Sequence, residues 1–334
     1  MKKSLLLATL LVFAILLFAI GCEQPEEAVE PDEPEEEIEA EEPAEAKDPA
    51  EAKDPAGEGA EVVVTDQMGR EVTIMGVPER IISLSPSNTE VSFALGLGDR
   101  IVGVTDFCNY PPEAMEKDIV GGFSTPSIEK IVELEPDLVL ASTIHNEEVP
   151  RLEELGIPVL VVESSTVEEL FTSMALVAEV SGVEQVGAEL IASMKERIEA
   201  VQEKVASIEP EDRVRVFYEV YSDPLMSAGE GAFINEIISL AGGENIFGDI
   251  TENYPQISAE EVADRQPYII LYPDYHGTAD FVLEEMAGRP GWESVPAVEN
   301  KNLHAISDDT FSRPGPRIVE AIEEAAELFY PDKF

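Results

Sequence analysis

Six polar and aromatic stretches each follow a short apolar run in this 334-residue chain: 85–89, 105–112, 142–146, 221–224, 272–276 and 307–311. Their hydroxyls, amides, phenols, carboxylates and imidazoles can hold a ligand by hydrogen bonds and ring stacking. His145 and His276 fall in two of these stretches, and a pair of imidazoles can ligate a metal centre such as haem iron or cobalt. No metal-ligand spacing surrounds either, so an exposed loop histidine is the plainer reading. His304 sits inside an apolar run and reads as structural. Motifs that make or break bonds are missing: there is no G-x-S-x-G, P-loop, G-x-G-x-x-G or H-E-x-x-H. Cys108 is the one cysteine besides Cys22. It has no evident activating partner, so it reads as a half-buried thiol near the ligand rather than a nucleophile. The expectation is a binding protein with no catalytic residue and no catalytic cofactor. A metal-dependent enzyme acting outside the cytoplasm is the less favoured alternative, because its ligand spacing is absent.

The elements that must position these stretches form two alternating sets. The runs 81–84, 101–104, 138–141 and 159–162 are separated by helical segments at 88–97, 128–134 and 149–155, a pattern that predicts a parallel sheet flanked by helices. A hairpin around Met68-Gly69 precedes them. Val183, Val186, Leu190, Ile191, Met194, Ile198, Val201 and Val205 then recur at helical spacing, and Glu209-Pro210 ends that helix. A second set follows: strands at 214–218, 268–271 and 303–306, and helices at 232–240 and 316–329. The predicted fold class is α/β, with two Rossmann-like lobes, each on a mainly parallel sheet, joined by one long α-helix. The lobes span 62–182 and 209–334, and the bridge 183–208. Ligands of open α/β sheets bind beyond the carboxyl ends of the strands, so the six stretches line one cleft if the lobes face each other. Ser85–Thr89 also fits a helix start with Ser87 or Asn88 as cap.

Charge divides the chain differently. Seventy acids against 21 bases give a net charge of -49 and exclude a basic nucleic-acid footprint. Residues 1–21 carry Lys2 and Lys3, then an apolar run ending in Gly21-Cys22. This reads as a lipoprotein signal with Cys22 lipidated, placing the chain outside the cytoplasm on a membrane anchor; an uncleaved anchor helix is the alternative. Residues 23–61 hold 18 acids, two lysines and six prolines. With the lipidated cysteine, 22–61 forms a disordered, self-repelling stalk. The body still carries 52 acids against 17 bases, which suits hydration in a saline setting.

Several segments together resemble the helical-backbone periplasmic binding proteins for B12, siderophores and haem, over about 79–334. They are Ser83–Glu90, Asn109-Tyr110-Pro111-Pro112, Ile128–Ile131 with Glu135–Val139, Gly242–Phe247, Tyr254–Ser258 and Arg313–Ile318. Ser85–Glu90, Asn109–Pro112 and Tyr254–Ser258 are most similar to the B12-binding members. The resemblance implies a monomeric substrate-binding protein of an ABC importer. It would capture cobalamin or a related corrinoid and deliver it to a permease with its ATPase. Haem or a ferric siderophore is the alternative cargo. It also implies ligand contact at Ser85, Asn88, Thr89, Tyr110, Phe123, His145, Tyr254, Asp309, Phe311 and Arg313. Glu129 and Glu260, one per lobe, would dock on permease arginines. Phe123 and Tyr254 stand where the B12 binders carry tryptophan, Ser142 replaces another tryptophan, and the family's disulfide has no counterpart here.

Overall fold

The computed structural model describes residues 61–276 and 279–334, without the side chains of 276–281. Cys22, the leader, the stalk up to residue 60 and the His276 side chain lie outside the described residues. Strands β1 (Glu61–Thr65) and β2 (Glu71–Met75) pair antiparallel. Asp66 closes their turn by accepting from the amides of Met68 and Arg70, each at 3.0 Å. Gly69 takes the φ of +73° that a side chain would resist there.

The first lobe follows. It contains β3 (Ile81–Ser83), α1 (Pro86–Ala94), β4 (Ile101–Val104), β5 (Asp118–Ile119), α2 (Ile128–Glu133), β6 (Leu138–Ala141), α3 (Glu148–Glu154), β7 (Val159–Val161) and α4 (Val167–Val180). The sheet order is β5-β4-β3-β6-β7, every pairing parallel. Helix α5, Glu184–Val205, runs to the second lobe. There β8 (Arg215–Tyr218), α6 (Phe233–Leu240), β9 (Glu244–Asn245), α7 (Ala259–Arg265), β10 (Ile269–Pro273), α8 (Ala279–Ala287), β11 (Leu303–Ile306), α9 (Asp308–Ser312) and α10 (Ile318–Phe329) build a parallel sheet ordered β9-β8-β10-β11.

Strand alternation sorts side chains between two faces of each sheet. Ile81, Leu138, Leu140 and Leu160 face one way. They share a core with Val216, Tyr218, Ile269 and Leu271 of the second lobe and with Met194, Ile198 and Val201 of α5. Ile82, Val139, Val159 and Val161 fill the outer face of the first lobe. Phe217, Ile270, Tyr272 and Trp292 do the same in the second. One continuous core therefore ties both sheets to the bridging helix. Gly187 lets α5 pack tightly on α4, since a Cβ there would lie 2.5 Å from that of Ala178. Among the described residues no helix is long and apolar enough to cross a membrane.

Candidate functional site: a cleft between the lobes

The sheet ends of the first lobe are fixed by polar side chains turned inward. Ser85, not Ser87 or Asn88, caps α1, its hydroxyl accepting from the Asn88 amide at 3.2 Å. Pro86 explains the choice: it sets helical φ at the first turn and holds the residue before it extended. Asn88 is 3% exposed and donates to the carbonyls of Ala141 and Val162 at 3.1 and 3.3 Å, tying β6 to the end of β7. Thr89 is fully buried, its hydroxyl 2.8 Å from Ser83 Oγ and 3.1 Å from Cys108 Sγ. Ser85 and Asn88 still line the cleft cavity, but Thr89 does not reach it, contrary to its expected contact. Cys108 is buried rather than half-buried.

His145 departs furthest from expectation. It has no solvent exposure. Its Nδ1 accepts from the Ser142 amide at 3.0 Å, so the network assigns the proton to Nε2, which donates to the Phe123 carbonyl at 2.7 Å. Neither nitrogen is left for a metal in the cleft. The ring instead meets Phe123 edge-to-face, with centroids 5.7 Å apart, and sets that aromatic at the rim. Phe311 is likewise fully buried in the shared core, so it does not face a ligand. His304 bonds Asn302 Oδ1 at 2.8 Å, and burial pulls its pKa down, as suits a neutral structural imidazole.

A charged clasp joins the lobes beside these loops. Glu90, 3% exposed on α1, accepts from Arg317 Nε at 2.8 Å and Nη2 at 2.5 Å, with Arg313 Nη1 at 3.7 Å. Burial alone would lower the Arg317 pKa, but the bond to Glu90 and its charge more than reverse that. The Arg317 guanidinium also lies 3.9 Å from the ring centroid of Tyr110. Arg313 donates to Asn109 at 2.7 Å and pairs with Asp309 at 2.5 Å; Asn109 in turn donates to Asp309 at 2.9 Å. Thus Tyr110, Asp309 and Arg313 do converge, and Glu90, Asn109 and Arg317 join them. The missed signal was Asp309, Arg313 and Arg317 at spacings of four, facing the one acid of α1.

Two cavities adjoin the clasp. One, of about 420 Å³, opens between the first-lobe strand ends and Ser312-Arg313-Pro314, walled by Phe107, Phe123, Val162 and Leu170 with several serine hydroxyls. The other, of about 840 Å³, lies along α5 and is lined by Phe93, Tyr110, Leu190, Met194 and Arg317. The second lobe turns Tyr221, Tyr254 and Tyr275 outward at 51%, 45% and 62% exposure. Phe107 is 61% exposed in the first lobe. Rings this exposed, at the carboxyl ends of both sheets, form a surface for a flat apolar ligand. Burial pushes up the pKa of Tyr254 and Tyr275, and Asp308 adds to it, so both phenols stay protonated near neutrality.

Glu129 and Glu260 are both exposed, each the second residue of a helix capped by serine, Ser127 and Ser258. The adjacent Glu261 closes the capping box on Ser258, and that bond lowers its pKa, so Glu260 is spared for outside contact. No group of three or more metal-ligating side chains occurs among the described residues.

Two parallel-sheet lobes on one helix, with an aromatic cleft between them, define a solute-binding protein. The chain belongs to the periplasmic binding protein family, whose profile matches residues 81–310. It is 35% identical over 279 residues to YvrC of Bacillus subtilis, an uncharacterized ABC transporter substrate-binding lipoprotein, covering 82% of this chain and 87% of that one. It is 33% identical over 249 residues to the vitamin B12-binding protein of Vibrio cholerae serotype O1, covering 74% and 87%. A crystal structure of a periplasmic vitamin B12-binding protein of that species matches with a TM-score of 0.65 at 31% identity, over 76% of this chain and 97% of the other. The heme-binding protein RhuT of Roseiflexus sp. RS-1 matches with a TM-score of 0.67 at 27% identity, over 77% and 99%.

Proposed function

We propose that this chain is the lipid-anchored binding protein of an ABC importer and that it captures cobalamin or a related corrinoid. The observation that carries the reading is the set of exposed rings, Phe107 on one lobe and Tyr221, Tyr254 and Tyr275 on the other, at the facing sheet ends. Such rings stack on a macrocycle, while the serine hydroxyls offer edge hydrogen bonds. No bond is made or broken. The relatives named for vitamin B12 support this cargo over haem. So does the commitment of both His145 nitrogens, which leaves that imidazole unable to bind iron.

Delivery would use Glu129 and Glu260. One carboxylate per lobe fixes register against a basic permease, and carboxylate–arginine pairs are strong and directional. The lipid on Cys22 and the acidic stalk would hold the body, as a monomer, near that permease. Titration of the purified protein with cyanocobalamin, cobinamide, haemin and ferric siderophores tests the cargo: tight haemin binding with no corrinoid binding refutes it. Charge reversal at Glu129 and Glu260 together should abolish uptake and leave ligand affinity unchanged; a loss of affinity would contradict the docking role.

A further inference from the structure

The corrinoid reading leaves open how the cleft would refuse the other tetrapyrroles that fit its rings. The charge of the second-lobe wall bears on this. Strands β10 and β11 run parallel in register to Pro273 and Ile306, so the residues that follow, Asp274-Tyr275 and Ser307-Asp308, emerge side by side. Tyr221 follows β8, which pairs with β10. Asp308 is half-buried among these phenols, and its charge is felt by Tyr218, Tyr254 and Tyr275. Burial, with Asp309 and Asp274 nearby, pushes its pKa up even though Ser312 and Arg313 pull the other way.

Among the described residues, Arg313 is the one cation felt at Asp308, and its bonds go elsewhere. Arg313 is bound to Asp309 and Asn109 and lies near Glu90, while Arg317 is bound to Glu90. The first-lobe stretches that face it, 85–89, 105–112 and 142–146, hold Asp106 and no lysine or arginine, with Glu147 just after the third and Glu163 just after β7. Asp274 and Asp308 thus carry no ion pair among the described residues, and the lysine of the larger cavity, Lys117, sits along α5 on the carbonyl of Gly98. A carboxylate on the ligand's edge would enter a partly desolvated field of its own sign. A primary amide there instead brings N–H donors to carboxylate and phenol oxygens.

We propose that the second-lobe wall selects amide over carboxylate at the ligand's edge, with Asp308 as the specificity-determining residue. The cargo is then a fully amidated metal complex of neutral or positive charge, and a tetrapyrrole fringed with carboxylates is turned away. This rests on the corrinoid reading for the identity of the ring. It adds that cobinamide, which lacks the nucleotide phosphate, binds at least as tightly as cobalamin.

The test compares ligands that differ by one group, and adds cobinamide, which lacks the whole nucleotide loop. The purified protein is titrated with cyanocobalamin, with its monocarboxylic acids in which one side-chain amide has been hydrolysed, and with cobinamide. At least one monocarboxylate should bind about tenfold more weakly than the amide, by like-charge repulsion in a partly desolvated site. The gap should narrow in Asp308→Asn, and also in Asp274→Asn, which provides a second reading if the first variant folds poorly. Equal affinities for amide and carboxylate, or an unchanged gap in both variants, overturn the proposal. If no corrinoid binds, the cargo reading fails separately. The charge rule is then read from haemin against its dimethyl ester: tighter binding of the ester supports it, and equal or weaker binding overturns it.

Discussion

Glu90 is the residue whose loss should be felt most. Its carboxylate is almost inaccessible and holds Arg317 through two bonds of 2.8 and 2.5 Å across the lobe boundary. Glu90→Ala would leave the Arg317 guanidinium partly buried without its anion, while Arg313 keeps Asp309. Breaking one side of a buried pair costs about 3–5 kcal/mol. Both arginine side chains keep some exposure, 16% and 15%, so the lower end, about 3 kcal/mol, is the expected cost. For a domain of this size that is a fall in Tm of about 6–12 °C. The matched control is Glu153→Ala, which removes an exposed partner of Arg70 and should cost under about 1 kcal/mol. Scanning calorimetry of both variants beside the parent reads the difference. The double variant Glu90→Ala with Arg317→Ala should recover part of the loss, because it removes the orphaned charge. A Glu90→Ala shift no larger than that of Glu153→Ala would refute the view that the clasp is a desolvated, stabilising contact.

His145→Ala should lower stability and free Phe123, yet leave the absorption bands of bound corrinoid unchanged; a band shift on mutation would show cobalt ligation after all. Asp308 has a raised folded-state pKa, caused first by burial, so between its unfolded and folded values the folded chain holds more protons. Its ionised form therefore costs stability above the folded value. Asp308→Asn should raise Tm at pH 7, and the gain should vanish by about pH 3, below the usual carboxylate value; a gain independent of pH would contradict the burial argument. The body's 52 acids against 17 bases predict a Tm that rises from low to molar salt, and a flat response would rule out self-repulsion as a significant term.

Short continuous runs of branched apolar residues made most strands legible, because strands buried on both faces read that way. The bridging helix was legible from its spacing, and it ends at Val205, short of Glu209-Pro210. Strands β5 and β9 were not foreseen, since two residues carry no period. Helix α4 could have been read: Thr166 caps it, and Val167, Leu170, Phe171, Met174, Val177 and Ala178 line one face.

The site was less legible because one stretch mixes residues with opposite destinations. At about 100° per residue, Phe311 points well away from Asp309 and Arg313, so the helix that brings those two to the clasp must bury the phenylalanine. The same holds in α1, where Asn88 and Thr89 face the sheet while Glu90 faces the other lobe. His145 is a further case: a histidine in a cleft loop reads as a ligand until its two nitrogens are accounted for, and here both serve the backbone.

The clasp also bears on how selection can work. A lobe rotation that parts Glu90 from Arg317 forfeits about 3 kcal/mol unless the arginines find new partners, which makes such a state rarer by roughly a hundredfold or more. The continuous core through α5 resists the same motion. A cleft held this way has little closure to spend on discrimination. The choice between ligands of similar outline then falls to the chemistry of its fixed walls: ring stacking from Phe107, Tyr221, Tyr254 and Tyr275, and the sign of charge at Asp308. A ligand that bound tightly only after Glu90→Ala would show that the clasp, not the walls, had been excluding it.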